Sequence, residues 1–525
     1  TGARNTAVGQ QSMGANTTGD YNTALGRDSL HKNTTADNNV AVGYGALYEN
    51  TTGANNVGIG SASLDANTTG DNNTGLGTNA LNANTTGASN TAIGKDALAA
   101  NTTANYNTAI GALALTANTT GTRNDALGYQ AGTALTTGSY NTFIGERAGS
   151  ATTTASENVA VGSASLSANT TGAYNTAVGK NALAANTTAS NNVAVGMSAL
   201  TSNTTGTNLV AVGRSALGSN TTGTSNVALG NYAQSSSTTA SNNVAIGQSA
   251  LTALTTGDSN VAIGQGSADA VTTGTNNVSM GARTLTTNTT GDSNTAIGKD
   301  ALYSTTTASN NTAVGQSAMF ANTTGAGSVA VGTGALSAAT TGGSLVGIGL
   351  NAGNVITEGG NSIFIGDNSD PSGATISNEI AIGYGAVGKG VSTGFITANG
   401  GGNYAGNNSA SWSTTSDRRI KKNIEDNNTG LDKLKQIQIR NFEYRLPEEV
   451  DKELPQSAAI AKEGVQVGVI AQEIMEILPD VVKQESTECY SVDPENITWY
   501  LVNAVQELSA EIEELKNTKC KCNEE

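Results

Sequence analysis

Residues 90–106 read N-T-A-I-G-K-D-A-L-A-A-N-T-T-A-N-Y, and this pattern begins again at every seventeenth residue along most of the chain. Its fixed point is a glycine, which recurs at each step from Gly9 to Gly383 without an insertion or a deletion, giving 23 repeats. A period this strict predicts that each repeat forms one coil and that the coils stack into a solenoid.

Within one repeat, polar and apolar residues alternate in the N-T-A-I segment, as in a β-strand. The glycine and the N-T-T-G segment are typical of turns, because Gly accepts a positive φ and Asn caps turns through its side chain. Thr, Asn and Gly are poor helix formers. We therefore predict a mostly β protein whose residues 1–383 form a parallel β-solenoid, with two short strands and two turns in each coil.

Stacked coils place each side chain above its copy in the next coil, roughly 4.8 Å away. Asn over Asn would form an amide ladder, and the aliphatic residue before each glycine, such as Ile93, would form an apolar stripe. With about two large apolar side chains per coil, the interior would be thin. We therefore expect several rods to pack side by side; a monomeric β-helix is the alternative.

The repeats resemble the head of trimeric autotransporter adhesins, whose N-S-V-A-I-G units form a left-handed parallel β-roll. The resemblance lies in segments such as 90–94 (N-T-A-I-G) and 243–247 (N-V-A-I-G) and spans the whole series of repeats. It implies a homotrimer. The repeat period of this chain is longer than the commonest one in that family.

Charge divides the chain, because residues 416–525 hold 37 charged residues and residues 1–415 hold only 29. We predict a domain boundary at this point. Before it, residues 384–415 are rich in Gly, Asn and Ser and carry Phe395, Tyr404 and Trp412, which is typical of a transition or tip segment. The chain begins inside a repeat and without Met, so we expect a preceding segment.

The net charge of −16, without a basic stripe, argues against nucleic-acid binding. No apolar run is long enough for membrane insertion. Thirteen repeats carry Asn-Thr-Thr, formally a glycosylation sequon, but turns and ladders explain it better. Stacked Thr also occurs in ice-binding solenoids, which need a flat face of Thr side chains. Adjacent Thr residues of a strand point to opposite sides, so an ice-binding function is disfavoured.

Residues 416–525 contain five notable segments in this order along the chain: 416–424 (S-D-R-R-I-K-K-N-I), 430–434 (G-L-D-K-L), 442–444 (F-E-Y), 467–473 (V-G-V-I-A-Q-E) and 478–482 (L-P-D-V-V). A helix is predicted from Trp499 to Lys516. Its apolar residues alternate by four and three, as in a coiled coil: Leu501, Val505, Leu508, Ile512 and Leu515. Because so short a coiled-coil helix is marginally stable alone, it should pack against the rest of a small α+β domain.

This ordered set resembles the intramolecular chaperone auto-processing domain of phage endosialidase tailspikes, other tail fibres and some eukaryotic membrane-bound transcription factors. The resemblance implies a trimeric chaperone that assembles the preceding fibre and then cuts itself off with a Ser–Lys dyad. By motif match, the catalytic residues are Ser416 and Lys421, and the cleaved bond is Thr415–Ser416.

The residue chemistry agrees with a Ser–Lys dyad, because the one histidine, His31, lies far away in the repeats. A neutral Lys amine can act as the base, and both burial and nearby cations favour the neutral form. Those cations are Arg418, Arg419 and Lys422. The segment alone is more typical of a solvated charged turn, so the wider resemblance carries the prediction. For Gln472 and Glu473, capping and packing compete with a catalytic role.

We predict a trimeric tail fibre or other virion appendage, structural and adhesive, whose chaperone releases itself. No external substrate, cofactor or metal ion is expected. The expected partners are two further copies of the chain and a host or cell-surface receptor, with a glycan as one candidate class.

The alternative function is an extracellular bacterial surface adhesin. A polysaccharide-degrading tailspike is disfavoured, because the carboxylates of the repeats are scattered rather than paired.

Cys489, Cys520 and Cys522 are too few for a disulfide framework. For Cys520 and Cys522, a solvated tail is favoured over metal binding or interchain disulfides.

Overall fold

The computed structural model describes residues 2–398, 401–405, 412–413, 418–446, 449, 463–484 and 489–521. The chain divides into two compact units, Thr1–Thr415 and Ser416–Glu525. Each unit has a hydrophobic core of its own.

Each of the 23 repeats contributes one strand of three residues, and consecutive strands pair in parallel with a shift of one repeat. Thr91 lies opposite Thr108, for example, and Ile93 opposite Ile110. The predicted parallel β-solenoid with one coil per repeat is therefore confirmed. Its strands are β1 (Thr6–Val8), β2 (Thr23–Leu25), β3 (Val40–Val42), β4 (Val57–Ile59), β5 (Thr74–Leu76), β6 (Thr91–Ile93), β7 (Thr108–Ile110), β8 (Asp125–Leu127), β9 (Thr142–Ile144), β10 (Val159–Val161), β11 (Thr176–Val178), β12 (Val193–Val195), β13 (Val210–Val212), β14 (Val227–Leu229), β15 (Val244–Ile246), β16 (Val261–Ile263), β17 (Val278–Met280), β18 (Thr295–Ile297), β19 (Thr312–Val314), β20 (Val329–Val331), β21 (Val346–Ile348), β22 (Ile363–Ile365) and β23 (Ile380–Ile382).

The prediction of two strands per coil is wrong. Only the segment before the glycine is extended, and the rest of the coil is a succession of turns. After Gly94, for example, Asp96 (φ +55°) and Leu98 (φ +50°) both adopt the left-handed conformation. That conformation is uncommon outside Gly, Asn and Asp. Since Leu98 is fully buried, the packing of its side chain compensates for the backbone strain.

The periodic glycine is required for two separate reasons. Its φ lies between +120° and +141° in every repeat, a range that is essentially closed to residues with a Cβ. A Cβ added to Gly94 would also lie 2.6 Å from the carbonyl carbon of Gly111 in the next coil. Direct contact between consecutive glycines therefore sets how closely the coils approach.

Small and aliphatic side chains fill the interior of the coils. The middle residue of most strands is an alanine such as Ala92, and it is fully buried, as is Leu98. The residue directly before the glycine points outward instead: Leu25 is 49% exposed and Ile348 is 40% exposed. The expectation of two large apolar side chains inside each coil is therefore wrong, since one of them lies outside.

We term this external set of side chains the apolar row. It consists of the residue one position before each periodic glycine, from Val8 to Ile382, and none of its members is buried. Every member is Val, Ile, Leu or Met. The row therefore follows the outer face of the strands along the whole series of repeats.

Asparagines inside the coils form two ladders. In the first, the Asn90 amide donates to the carbonyl of Ala104 (2.8 Å), and its Oδ1 accepts from the N–H of Asn107 (3.0 Å). In the second, the Asn101 amide donates to Oδ1 of Asn84 at 2.8 Å. These amides pair backbone groups that would otherwise be buried unpaired. Asn101 is the asparagine of a sequon and is fully buried, which supports the ladder interpretation over glycosylation.

The stack continues past the last repeat, because β24 (Gly394–Ala398) pairs in parallel with β23. The chain then reverses into the antiparallel strands β25 (Gly401–Ala405) and β26 (Trp412–Ser413). In the last coil, Glu379 occupies a ladder position and is fully buried. Its carboxylate accepts from the N–H groups of Ser372 (3.0 Å) and Gly390 (2.7 Å). Part of the predicted transition segment thus extends the sheet.

The second unit is a small α+β domain, as predicted. Its helix α3 is longer than the predicted one, because the Asp493 carboxylate accepts from the N–H groups of Glu495 and Asn496 and Pro494 opens the first turn. The elements are α1 (Leu431–Leu434), β27 (Arg440–Phe442), β28 (Gln466–Gly468), α2 (Ala471–Ile477), β29 (Val482–Gln484), β30 (Tyr490–Val492) and α3 (Pro494–Lys521), with 3₁₀ turns at Arg418–Ile420 and Pro479–Val481.

The glycine contact predicts a large effect of one methyl group. Gly230→Ala places a Cβ 2.4 Å from the carbonyl oxygen of Gly247 at φ +137°, so it should lower the free energy of unfolding by about 2–6 kcal/mol. The control is Gly266→Ala, where φ is +59° and the nearest atom is 3.7 Å away; it should cost about 1–2 kcal/mol. Chemical denaturation followed by circular dichroism measures both, and equal costs would contradict the contact.

Candidate self-processing site

The predicted catalytic pair lies only partly within the described residues. Thr415 and Ser416 are outside them, so the geometry of the dyad stays a prediction. Lys421 follows the 3₁₀ turn Arg418–Ile420, and its N–H donates to the Arg418 carbonyl at 3.2 Å.

The segment around Lys421 is rich in exposed cations. Arg418, Arg419 and Lys422 flank it in sequence, so cations are concentrated there. Burial is not found in the single chain, because the Lys421 side chain is exposed, as are those three. The role of Lys421 as the base therefore stays a prediction.

Helix α3 leans on the rest of its unit, as predicted. Ile474, Leu478, Val481 and Tyr500 form the small buried core beneath it. Hydrogen bonds reinforce the contact, among them those from the Leu431 N–H to Glu507 (2.7 Å), from the Asn503 amide to the Asn427 carbonyl (2.6 Å) and from the Tyr500 hydroxyl to Asp480 (2.5 Å). Sequence reasoning missed these polar residues, because nothing in their spacing distinguishes them from solvated ones.

The described contacts of Glu473 are structural. Its carboxylate accepts two hydrogen bonds from the Arg440 guanidinium, at 3.1 and 2.9 Å, and so joins α2 to β27. This pairing raises the pKa of Arg440 above its ordinary value. Gln472 is exposed on the same helix. The packing role therefore has direct support for Glu473.

The predicted coiled-coil seam lies on one exposed side of α3. Its five residues are between 44% and 67% exposed. Tyr500 and Ala504, one position before two of them, are buried against the unit instead. Apolar side chains with heptad spacing are typical of a surface that packs against another helix. The residues are Leu501, Val505, Leu508, Ile512 and Leu515.

A recess of about 760 Å³ lies between residues 425–428 and α3. Trp499, Tyr500 and the carboxylates of Glu425, Asp426 and Asp480 are among its lining groups. In the described part of the chain, no three His, Cys, Asp or Glu side chains are arranged to hold a metal ion.

Cys489 is a free, half-buried thiol. Cys522 and the side chain of Cys520 lie outside the described residues. No helix of the described ranges combines the length and the apolar character needed to cross a bilayer.

Comparison with protein families finds a similarity for part of the second unit. Residues 416–483 match the family Peptidase S74, described as the chaperone of endosialidase. The match includes Ser416 and Lys421 and ends before α3. No curated protein and no solved structure matched the chain. The resemblance of the repeats to autotransporter heads therefore stays a prediction.

Tyr500 predicts how the second unit responds to alkali. Its hydrogen bond to Asp480, together with burial, raises the pKa of the phenol above its ordinary value of about 10. The folded state then holds this proton more tightly than the unfolded state does. The stabilisation is therefore complete below about pH 10 and is lost as the pH rises through the folded pKa.

Tyr500→Phe should remove that alkaline loss and cost about 1 kcal/mol at neutral pH, since one hydrogen bond is lost. Denaturation between pH 7 and pH 11, followed by tryptophan fluorescence, measures the effect. Tyr490→Phe, at a half-exposed tyrosine, is the matched control. Identical pH profiles for wild type and Tyr500→Phe would contradict the role of this bond.

Proposed function

We propose that the chain is a subunit of a trimeric virion appendage of the tail-fibre or tailspike type. The repeats form a structural and adhesive shaft, and residues 416–525 form a chaperone that is removed after assembly. The proposal is carried by one observation, the match of residues 416–483 to the chaperone of endosialidase directly after a β-solenoid.

The apolar row supports assembly from several copies. Its side chains are aliphatic in all 23 coils and none is buried in the single chain. Covering one such side chain contributes roughly 1 kcal/mol per coil in each chain. Summed over the rod, this exceeds the stability of an ordinary domain. The proposed interface is therefore the row itself, packed against the same row of two further copies.

A chaperone is needed because the coils are nearly identical. Three rods could align with an offset of one whole repeat and lose only one coil of contact at each end. Register is weakly specified wherever the pattern repeats in this way. The seam on α3 has a fixed position in the chain, so helices that pair through it would bring three copies into the same register before the coils stack.

The proposed cleavage uses Ser416 as the nucleophile and Lys421 as the base. The Ser416 hydroxyl attacks the Thr415 carbonyl carbon while the Lys421 amine takes its proton. The Thr415–Ser416 amide bond then breaks, the lysine returns the proton to the departing Ser416 nitrogen, and an ester remains. Water hydrolyses this ester and leaves a carboxylate on Thr415. Since Lys421 is exposed in one chain, neighbouring copies would supply its burial and delay cleavage until assembly.

The alternative is a trimeric adhesin on a bacterial surface, which the N-V-A-I-G pattern of the repeats favours. The two functions differ in location: a virion appendage is found on particles and an adhesin on cells. Labelling both with an antibody against residues 1–383 separates them.

Self-cleavage predicts a defined product. Expression of the whole chain should release the fragment that runs from Ser416 to Glu525, with Ser416 at the new amino terminus. Ser416→Ala and Lys421→Ala should leave the chain intact but still assembled. Lys421→Arg should also stay intact, because a guanidinium remains protonated and cannot act as a base.

Gel electrophoresis and amino-terminal sequencing measure this outcome, and Lys433→Ala, at an exposed lysine of α1, is the matched control that should still cleave. A cut at another bond, or full cleavage of Ser416→Ala, would remove the dyad from the mechanism.

Chaperone dependence predicts the effect of truncation. Chains ending at Thr415 lack the seam that sets the register, so they should form aggregates or rods of unequal overlap. Whole chains carrying Ser416→Ala keep the seam and should form rods of one length. Electron microscopy and light scattering compare the two. Uniform trimers from the truncated chain would show that the repeats find their register unaided.

A further inference from the structure

One column of the solenoid changes character over five consecutive coils. Five positions before the glycine, the residues are Asn, Ser or Gly in most coils; the exceptions outside this stretch are Arg4 and Tyr21. From the seventh to the eleventh coil the column instead reads Tyr-Arg-Tyr-Glu-Tyr. We term these residues the aromatic column: Tyr106, Arg123, Tyr140, Glu157 and Tyr174.

The backbone presents the aromatic column rigidly. All five residues adopt φ between +56° and +63°. Each N–H donates to a carbonyl of the preceding coil at 3.1–3.4 Å, as Tyr140 does to Thr122 at 3.1 Å. A backbone that is already fixed loses little further freedom on binding, which is an advantage for a recognition surface.

Arg123 fixes the orientation of two aromatic rings. Its guanidinium carbon lies 5.5 Å from the ring centroid of Tyr106 and 5.3 Å from that of Tyr140. One of its nitrogens also donates to the Tyr140 hydroxyl at 2.6 Å. Contacts of this kind hold a cation over an aromatic face. The two tyrosines and the arginine therefore form one preorganised surface.

The surface remains open to solvent. Tyr106, Tyr140 and Tyr174 are between 53% and 58% exposed. A shallow depression beside Tyr140 is lined by Glu157 and Val159.

We propose that the aromatic column binds an oligosaccharide without net charge, laid along the axis of the rod. A sugar ring presents a C–H face that packs on a tyrosine ring and hydroxyl groups that need donors and acceptors at its edge. The tyrosines supply the aromatic faces, and Arg123 and Glu157 supply the hydrogen-bond donors and acceptors. The inference rests on the proposed adhesive function and gives it a ligand class and a position.

Charge favours a neutral ligand over a polyanion. One arginine and one glutamate balance each other within the column, and Asp125 in the same coil as Arg123 adds a negative charge nearby. Residues 1–415, which remain after the proposed cleavage, hold 11 Lys and Arg and 18 Asp and Glu, and this net charge of −7 repels an anionic polymer.

A second copy of the chain fits this column less well. Contact between two identical rods repeats in every coil, as the apolar row does. The aromatic column is confined to five coils, which is typical of a local binding site rather than of a rod-long interface.

The test measures binding of the assembled fibre to hexasaccharides immobilised on a surface. These are neutral (gluco-, manno- and galacto-configured) and anionic (uronic acids). Tyr140→Ala and Arg123→Ala should each weaken binding to a neutral hexasaccharide about tenfold or more, because truncated aromatic and arginine anchors commonly cost that much. Tyr129→Ala is the matched control: this tyrosine is 49% exposed beyond the other end of strand β8, and its removal should leave binding unchanged.

Light scattering of each variant separates loss of binding from loss of assembly. The proposal is overturned if the fibre binds no neutral hexasaccharide, if it binds only the anionic ones, if all variants bind equally, or if the column variants dissociate the trimer. A fibre that trimerises and releases residues 416–525 but ignores neutral glycans overturns this inference alone. Failure to trimerise or to cleave would instead contradict the proposed function.

Discussion

Contact between glycines of consecutive coils is the constraint on which the solenoid depends. Gly94 approaches Gly111 so closely that no Cβ fits between them, and this fixes the distance between coils. At that distance each three-residue strand pairs with the next, and ladder asparagines such as Asn101 reach the amide of the neighbouring coil. An insertion of one residue would move every later side chain off its ladder, which explains why the repeat period does not vary.

The same constraint leaves a surface that one chain cannot cover. Within a coil there is room for Ala92 and Leu98, whereas Ile93 stays outside. The apolar row is therefore a consequence of how narrow the coil is. Uniform coils also leave the alignment between rods undetermined. Under the proposed assembly, the non-repetitive residues 416–525, with their exposed helical seam, would supply the reference point that the repeats lack.

Strict periodicity made the solenoid predictable, because only stacked coils require a glycine at every seventeenth position. The second strand was predicted wrongly, since nothing in the sequence shows that Leu98 adopts φ +50°. The side on which Ile93 lies was also hidden, because a stripe of aliphatic residues looks the same whether it faces inward or outward. The seam of α3 followed from heptad spacing. The predicted helix began too late, because Asp493 and Pro494 form an N-terminal cap that the heptad pattern does not reveal. Comparing each position across all repeats would have revealed the aromatic column.

The most direct test of the central claim places one cysteine on the apolar row. Ile246→Cys, in a chain whose three native cysteines are replaced by serine, should be joined to its own copies by a short bismaleimide, because the rows of an in-register trimer meet there. Thr256→Cys, exposed on another side of the coil, should not be joined. Cross-linking at residue 256 but not at residue 246, or the mass of a single chain in light scattering, would contradict the trimer built on this row.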